Sequence, residues 1–234
     1  MTAKQRDKPD RQHALRQKTA EVERTLRKRL GTPEWSGPTD PLDMLVLTIL
    51  SQNTNDVNRD RAWTQLRKTF PTWQDVLSAP PSRIARAIRV GGIANVKARN
   101  IKQFLKWVQG TYGRLALDGL CKMTPKAALE LLISQRGIGL KTIYVTLLFA
   151  CGIDVFPVDT HIYRIVRRLE IAPETASRDK VTAWMQPLVP AGKSYAFHIN
   201  LITLGRTICK ARNPLCDACP LRSMCPYPKK HPPR

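Results

Sequence analysis

The sequence predicts an all-α protein, and three observations carry that expectation. Apolar residues recur at helical spacings in one segment after another. Helix-opening and helix-closing signals, among them Thr124-Pro125, Ser177 and Gly31, punctuate those segments. Runs of β-branched alternation joined by hairpin turns are missing.

Residues 1–20 are polar and charge-rich and read as a flexible basic arm. Over residues 1–29, ten Lys/Arg stand against four acids, a net +6. Val22, Leu26 and Leu30 then recur every four residues and predict a first helix starting near residue 13–20. Gly31 stops it, and the Gly/Pro/Ser/Thr-rich stretch to Pro41 is a connecting loop. Leu42–Ser51 is apolar almost all round, the pattern of a buried helix. Asp56 is the expected cap of the next helix, with Val57, Trp63, Leu66 and Phe70 as its apolar stripe. A short helix from Ser82 ends before Gly91-Gly92, and Val96–Trp107 forms another. Thr124 caps, and Pro125 opens, a helix over Lys126–Ile133. Helices over 142–150, Ile162–Leu169, 178–187 and Ser194–Ile208 complete the set.

The chain has 234 residues, 42% of them hydrophobic, enough to bury a core in one large or two small domains. Its apolar runs, such as Met44–Leu50 and Ile143–Ala150, fall far short of the roughly 18–20 residues of a membrane span. The N-terminus has no apolar signal core, so secretion is not expected. Lys and Arg total 39 against 18 acids, a formal charge of +21. Self-repulsion on that scale is relieved by a polyanion, and nucleic acid fits because phosphate binding releases condensed counterions. A merely basic soluble protein, or one bound to anionic lipid, is the alternative. Four of six cysteines crowd into one C-terminal segment, a ligand spacing that implies a reducing, cytoplasmic setting.

Gln135-Arg136-Gly137-Ile138-Gly139-Leu140-Lys141-Thr142 separates two predicted helices. Gly137 and Gly139 allow a tight turn whose amides approach a phosphate, while Ile138 plugs the hairpin into the core. A helical corner without a ligand has the same glycines. Lys141 falls at a helix start, where the positive end of the dipole disfavours a cation. The dipole and partial burial lower its pKa and supply the neutral amine of a nucleophile. A solvated surface lysine is the ordinary alternative. Eighteen residues on, Val158-Asp159-Thr160-His161 opens a helix with Asp159 as its cap. A carboxylate so fixed also suits the stabilisation of positive charge. No chemistry is assigned to His161.

Cys209, Cys216, Cys219 and Cys225 read C-x6-C-x2-C-x5-C. Zinc ribbons use two C-x2-C pairs, whereas this irregular spacing wraps a larger object, favouring a [4Fe–4S] cluster with zinc second. Lys210 and Arg212 lie between the first two ligands, where a clamped loop presents cations to phosphates.

The hairpin with Lys141, the Val158–His161 segment and the cysteine spacing, in that order, resemble endonuclease III of the helix–hairpin–helix DNA glycosylases. The resemblance runs from about Leu42 to Tyr227. It implies two helical lobes. Residues 42–152 form a six-helix barrel, and residues 21–41 with 153–234 form the cluster domain. The hairpin then lies at a cleft that receives double-stranded damaged DNA with its target nucleotide flipped out. By the same resemblance the protein excises oxidised pyrimidines and cuts the strand by β-elimination, with Lys141 attacking C1′ and Asp159 assisting. No redox step is required of the cluster. Gln52 and Asn53 in Ser51-Gln52-Asn53-Thr54 match the loop that fills the hole left by the base. Ile93 in Gly92–Lys97 matches the wedge. Gln135-Arg136 stands where the family usually has Leu-Pro, and Ala94 where an aromatic is common, so the lesion itself stays open. Two other functions remain: a monofunctional mismatch glycosylase, whose relatives commonly lack a lysine at this position, and a non-catalytic DNA-binding module. A cytoplasmic, nucleoid-associated monomer is expected, since no helix offers a long heptad seam.

Overall fold

A computed structural model of the chain describes residues 3–230, with side chains from residue 10 to 230. Twelve α-helices and four short 3-10 helices occur among the described residues, and no strand does. No described helix is long and apolar enough to cross a membrane. The chain divides into two compact units, Gly37–Ile153 and Met1–Ser36 with Asp154–Arg234.

The central unit holds α2 (Pro41–Leu50), α3 (Asp56–Thr69), α4 (Trp73–Ser78), α5 (Pro81–Ala87), α6 (Ala94–Tyr112), α7 (Pro125–Leu132) and α8 (Leu140–Cys151). Helix α2 is buried along nearly its whole length and packs against α8. Thr124 caps α7 by accepting from Ala127 N, with Pro125 at the first helical position. Helix α4 was not anticipated; a capping box between Thr72 and Asp75 opens it. The cap of α3 is Asn55 rather than Asp56, its side chain accepting from Asn58 N. Either residue can cap, and the choice places Asp56 in the first turn, where its charge suits the dipole. Val57 is 60% exposed and stands off the apolar stripe. Cys121 and Cys151, to which the spacing gave no role, form a disulfide between a 3-10 turn (Asp118–Lys122) and the end of α8. That pair runs against the reducing setting expected from cysteine usage.

The other unit contains α1 (Ala3–Leu30), α9 (Thr160–Arg168), α10 (Arg178–Met185), α11 (Ser194–Thr207) and α12 (Tyr227–Lys230). The described part of the basic arm is helical and continuous with the first helix, while residues 1 and 2 lie outside the description. Tertiary docking explains this. Leu15 packs on the core, Arg16 Nε donates to Pro187 O, and Lys18 Nζ donates to Leu169 O. Val22 and Leu26 then enter a core built with Phe156, Phe197, Ile162 and Leu201. At the C-terminus of α1 Gly31 adopts φ +79°, and its carbonyl accepts from Asn200 Nδ2 at 3.0 Å.

Leu26→Ala should lower unfolding free energy by about 2–5 kcal/mol, whereas Leu30→Ala, at a side chain 41% exposed, should change it by less than about 0.5 kcal/mol. Urea titration monitored by circular dichroism measures both, and equal effects would deny α1 its place in the core.

Candidate functional site

In the central unit the hairpin between α7 and α8 is shaped by sterics at Gly137. That residue adopts φ +80°, and a Cβ there would overlap the buried Asn100 amide on α6. Gly139 differs: its φ is ordinary, it is the N-cap of α8, and its Cα faces open space. Between them Ile138 is 4% exposed, so the hairpin is plugged as its sequence implied. Ile138 N donates to Gln135 O, and the turn leads into the N-terminus of α8, the end of a helix that suits an anion. Lys141 is the second residue of α8 and is half-buried.

Two loops of the same unit carry the other predicted contacts. Gln52 Nε2 donates to Gly137 O at 2.9 Å, which joins the loop after α2 to the hairpin. Asn53 is exposed with φ +51°. Ile93 is 47% exposed and adopts φ +42°, a conformation that a β-branched side chain disfavours. A Cβ on the neighbouring Gly92 would lie 3.7 Å from Asn53 O, so the two loops are adjacent.

In the other unit Asp159 is the N-cap of α9, its Oδ1 accepting from Ile162 N at 2.8 Å. The buried segment before it is pinned at three points. Gln186 accepts from Phe156 N and donates to Phe156 O (2.9 and 2.8 Å), and the His198 ring donates to Pro157 O (3.0 Å). The Asp159 carboxylate is therefore fixed by its cap bond and by the chain leading to it. His161 packs against α11, where a methyl on Gly205 would meet its Cβ at 2.7 Å.

Cys209, Cys216, Cys219 and Cys225 are free thiols that ring one cavity. Burial pushes the Cys219 and Cys225 thiols up, and the charges of the neighbouring cysteines add to the effect. A cationic metal centre bound there would stabilise all four as thiolates. Two arginines that motif spacing could not reveal secure the first cysteine. Arg164 Nε donates to Cys209 O at 2.9 Å and its Nη2 to Gly205 O at 2.8 Å. Arg168 Nη1 donates to Cys209 Sγ (3.2 Å) and to Lys210 O (2.8 Å), and its guanidinium stacks on Tyr227. Lys210 and Arg212 remain exposed on the loop so held.

Residues 46–191 match the HhH-GPD superfamily base excision DNA repair protein family, and residues 209–225 match the iron-sulfur binding domain of endonuclease III. Endonuclease III of Thermotoga maritima is 30% identical over 207 residues, covering 88% of this chain and 92% of that protein. The chain belongs to the endonuclease III family.

Membership makes it an endonuclease III-like base excision repair glycosylase with a [4Fe–4S] cluster as cofactor. A putative DNA glycosylase of Arabidopsis thaliana is 37% identical over 190 residues, covering 77% of this chain but 64% of that protein. The fold resembles that of endonuclease III in a non-covalent complex with DNA, with a TM-score of 0.79 at 24% identity over 92% of this chain and 97% of that one. It also resembles a thermostable thymine-DNA glycosylase (TM-score 0.77, 23% identity, 93% and 98% covered). Arg168→Lys keeps the charge but loses the planar fork and the stacking on Tyr227. Iron and sulfide retained per purified chain should fall; full retention would show that Arg168 does not secure the cluster loop.

Proposed function

We propose that the protein excises oxidised pyrimidines from double-stranded DNA and then cleaves the strand, with Lys141 as nucleophile. One observation carries this reading: a half-buried lysine stands in the first turn of α8, directly after a tight hairpin with Gly139 as the helix N-cap. The positive end of the α8 dipole beside Lys141 also favours a phosphate.

The neutral Nζ of Lys141 attacks C1′ of the sugar. The C1′–N bond breaks, and the base leaves with the electron pair and takes up a proton. Positive charge that develops on the sugar is stabilised by the Asp159 carboxylate. Ring opening gives an imine between Lys141 and C1′, which acidifies the C2′ proton. Loss of that proton expels the 3′ phosphate as the C3′–O bond breaks. Water then hydrolyses the imine and restores the amine. Gln52 or Asn53 fills the space left by the extruded nucleotide and Ile93 wedges the stack. Lys210 and Arg212 contact phosphates, and the four cysteines ligate the cluster that fastens their loop. The net charge of +21 supports a polyanionic partner.

Asp159→Asn separates the two roles of that residue, because Asn caps a helix as well as Asp does. Its unfolding free energy should stay within about 0.5 kcal/mol of wild type. Its single-turnover base release from thymine-glycol duplex should fall by about 100-fold or more. Release at the wild-type rate would remove Asp159 from the mechanism. Lys141→Gln should bind the same duplex while losing strand cleavage, measured on denaturing gels. Base release without cleavage by wild type, most of all from mismatched duplex, would instead favour a monofunctional enzyme.

A further inference from the structure

We infer that Lys97 is a positioning residue whose ammonium fixes the two DNA-probing loops together, so that base extrusion depends on a side chain remote from the chemistry. The inference rests on the role proposed above for Gln52, Asn53 and Ile93.

Lys97 lies in the second turn of α6 and is completely buried, unusual for a lysine. Its Nζ donates to Leu50 O and to Gly91 O, each at 2.7 Å. These carbonyls need it. The last turn of a helix leaves carbonyls without intrahelical partners, and burial makes each costly to leave unmet. In α2, Leu47 O and Thr48 O accept from Ser51 N, and Ile49 O accepts from Gln52 N. Leu50 O comes next and receives Lys97. In the 3-10 turn Arg89–Gly91, Ile88 O and Arg89 O accept from Gly91 N and Gly92 N, and Gly91 O receives Lys97. One ammonium thus closes two element ends, each immediately before a probing loop.

The backbone completes the enclosure. Lys97 N donates to Ile93 O at 3.1 Å, so the same residue holds the chain on both sides of Gly92. Ile93 is kept at φ +42° inside that bracket, where a β-branched residue would otherwise relax. Burial lowers the ammonium to about pKa 8, which leaves it charged at neutral pH and a strong donor to carbonyl oxygen. One turn further along α6, Asn100 abuts Gly137, and Gln52 reaches the Gly137 carbonyl. A lysine needed only for packing would not have to meet the terminal carbonyls of two separate elements that both lead into exposed, left-handed residues.

The test compares two activities in each variant. Lys97→Met keeps the stem and removes both donors. Single-turnover release of thymine glycol from duplex should fall about 10- to 100-fold, the scale of one or two lost buried hydrogen bonds. Elimination at a preformed abasic site, which has no base to extrude, should fall less than about threefold. Lys97→Gln, which retains an amide donor, should recover part of the loss. In an Ile93→Ala background Lys97→Met should cost markedly less than in wild type, because the loop it holds no longer carries its wedge. Equal loss in both activities, no loss, or full additivity with Ile93→Ala would overturn the inference. If Lys97→Met does not unfold cooperatively, Gly91→Ala replaces it. A methyl there lies 3.2 Å from Ala62 Cβ and 3.8 Å from Lys97 Nζ, and an unchanged ratio of the two activities would overturn the inference equally. Failure of the wild type to release thymine glycol at all would count against the proposed function instead.

Discussion

Helices that end inside a protein must find partners for their last carbonyls, and in the central unit a buried ammonium meets that requirement. Lys97 closes α2 and the 3-10 turn before α6 at once. Because both ends lead into exposed loops, the placement of Gln52, Asn53 and Ile93 follows from it. Asn100, on the same helix, stands against Gly137 and excludes any side chain there. Helix α6 therefore touches three segments, and the hairpin that precedes Lys141 is shaped by Asn100.

The second unit solves a different problem, how to hold a carboxylate and a cysteine loop on one short helix. Asp159 caps the start of α9, and Arg164 and Arg168 reach from its later turns to Cys209 and the loop beyond. Basic side chains in a last turn also suit the negative end of the dipole. One nine-residue helix thus connects the segment that carries the carboxylate to the segment that carries the cluster.

Much of this was legible because capping is local chemistry. Thr124-Pro125, Ser177 and Asp159 each announced a helix start, and each does accept the expected amide. The cysteine spacing likewise pointed to four residues that line one cavity. What escaped depended on contacts distant in sequence. The polar arm became helical because Leu15, Arg16 and Lys18 dock on residues far along the chain. Asn55 and Asp56 are both good caps, so the pattern alone left a one-residue ambiguity. The Cys121–Cys151 pair is thirty residues apart and meets only through the packing of α8. Lys97 was hidden for the strongest reason: a lysine reads as surface, and its partner Leu50 O lies 47 residues earlier.

The central claim is that Lys141 forms an imine with the sugar. Borohydride reduction during turnover on duplex containing thymine glycol, with wild type and Lys141→Gln side by side, tests it most directly. A covalent protein–DNA adduct with wild type alone, mapped to Lys141 by peptide sequencing, is the predicted result. An adduct of equal yield with Lys141→Gln, or strand cleavage by wild type with no adduct, would contradict the account.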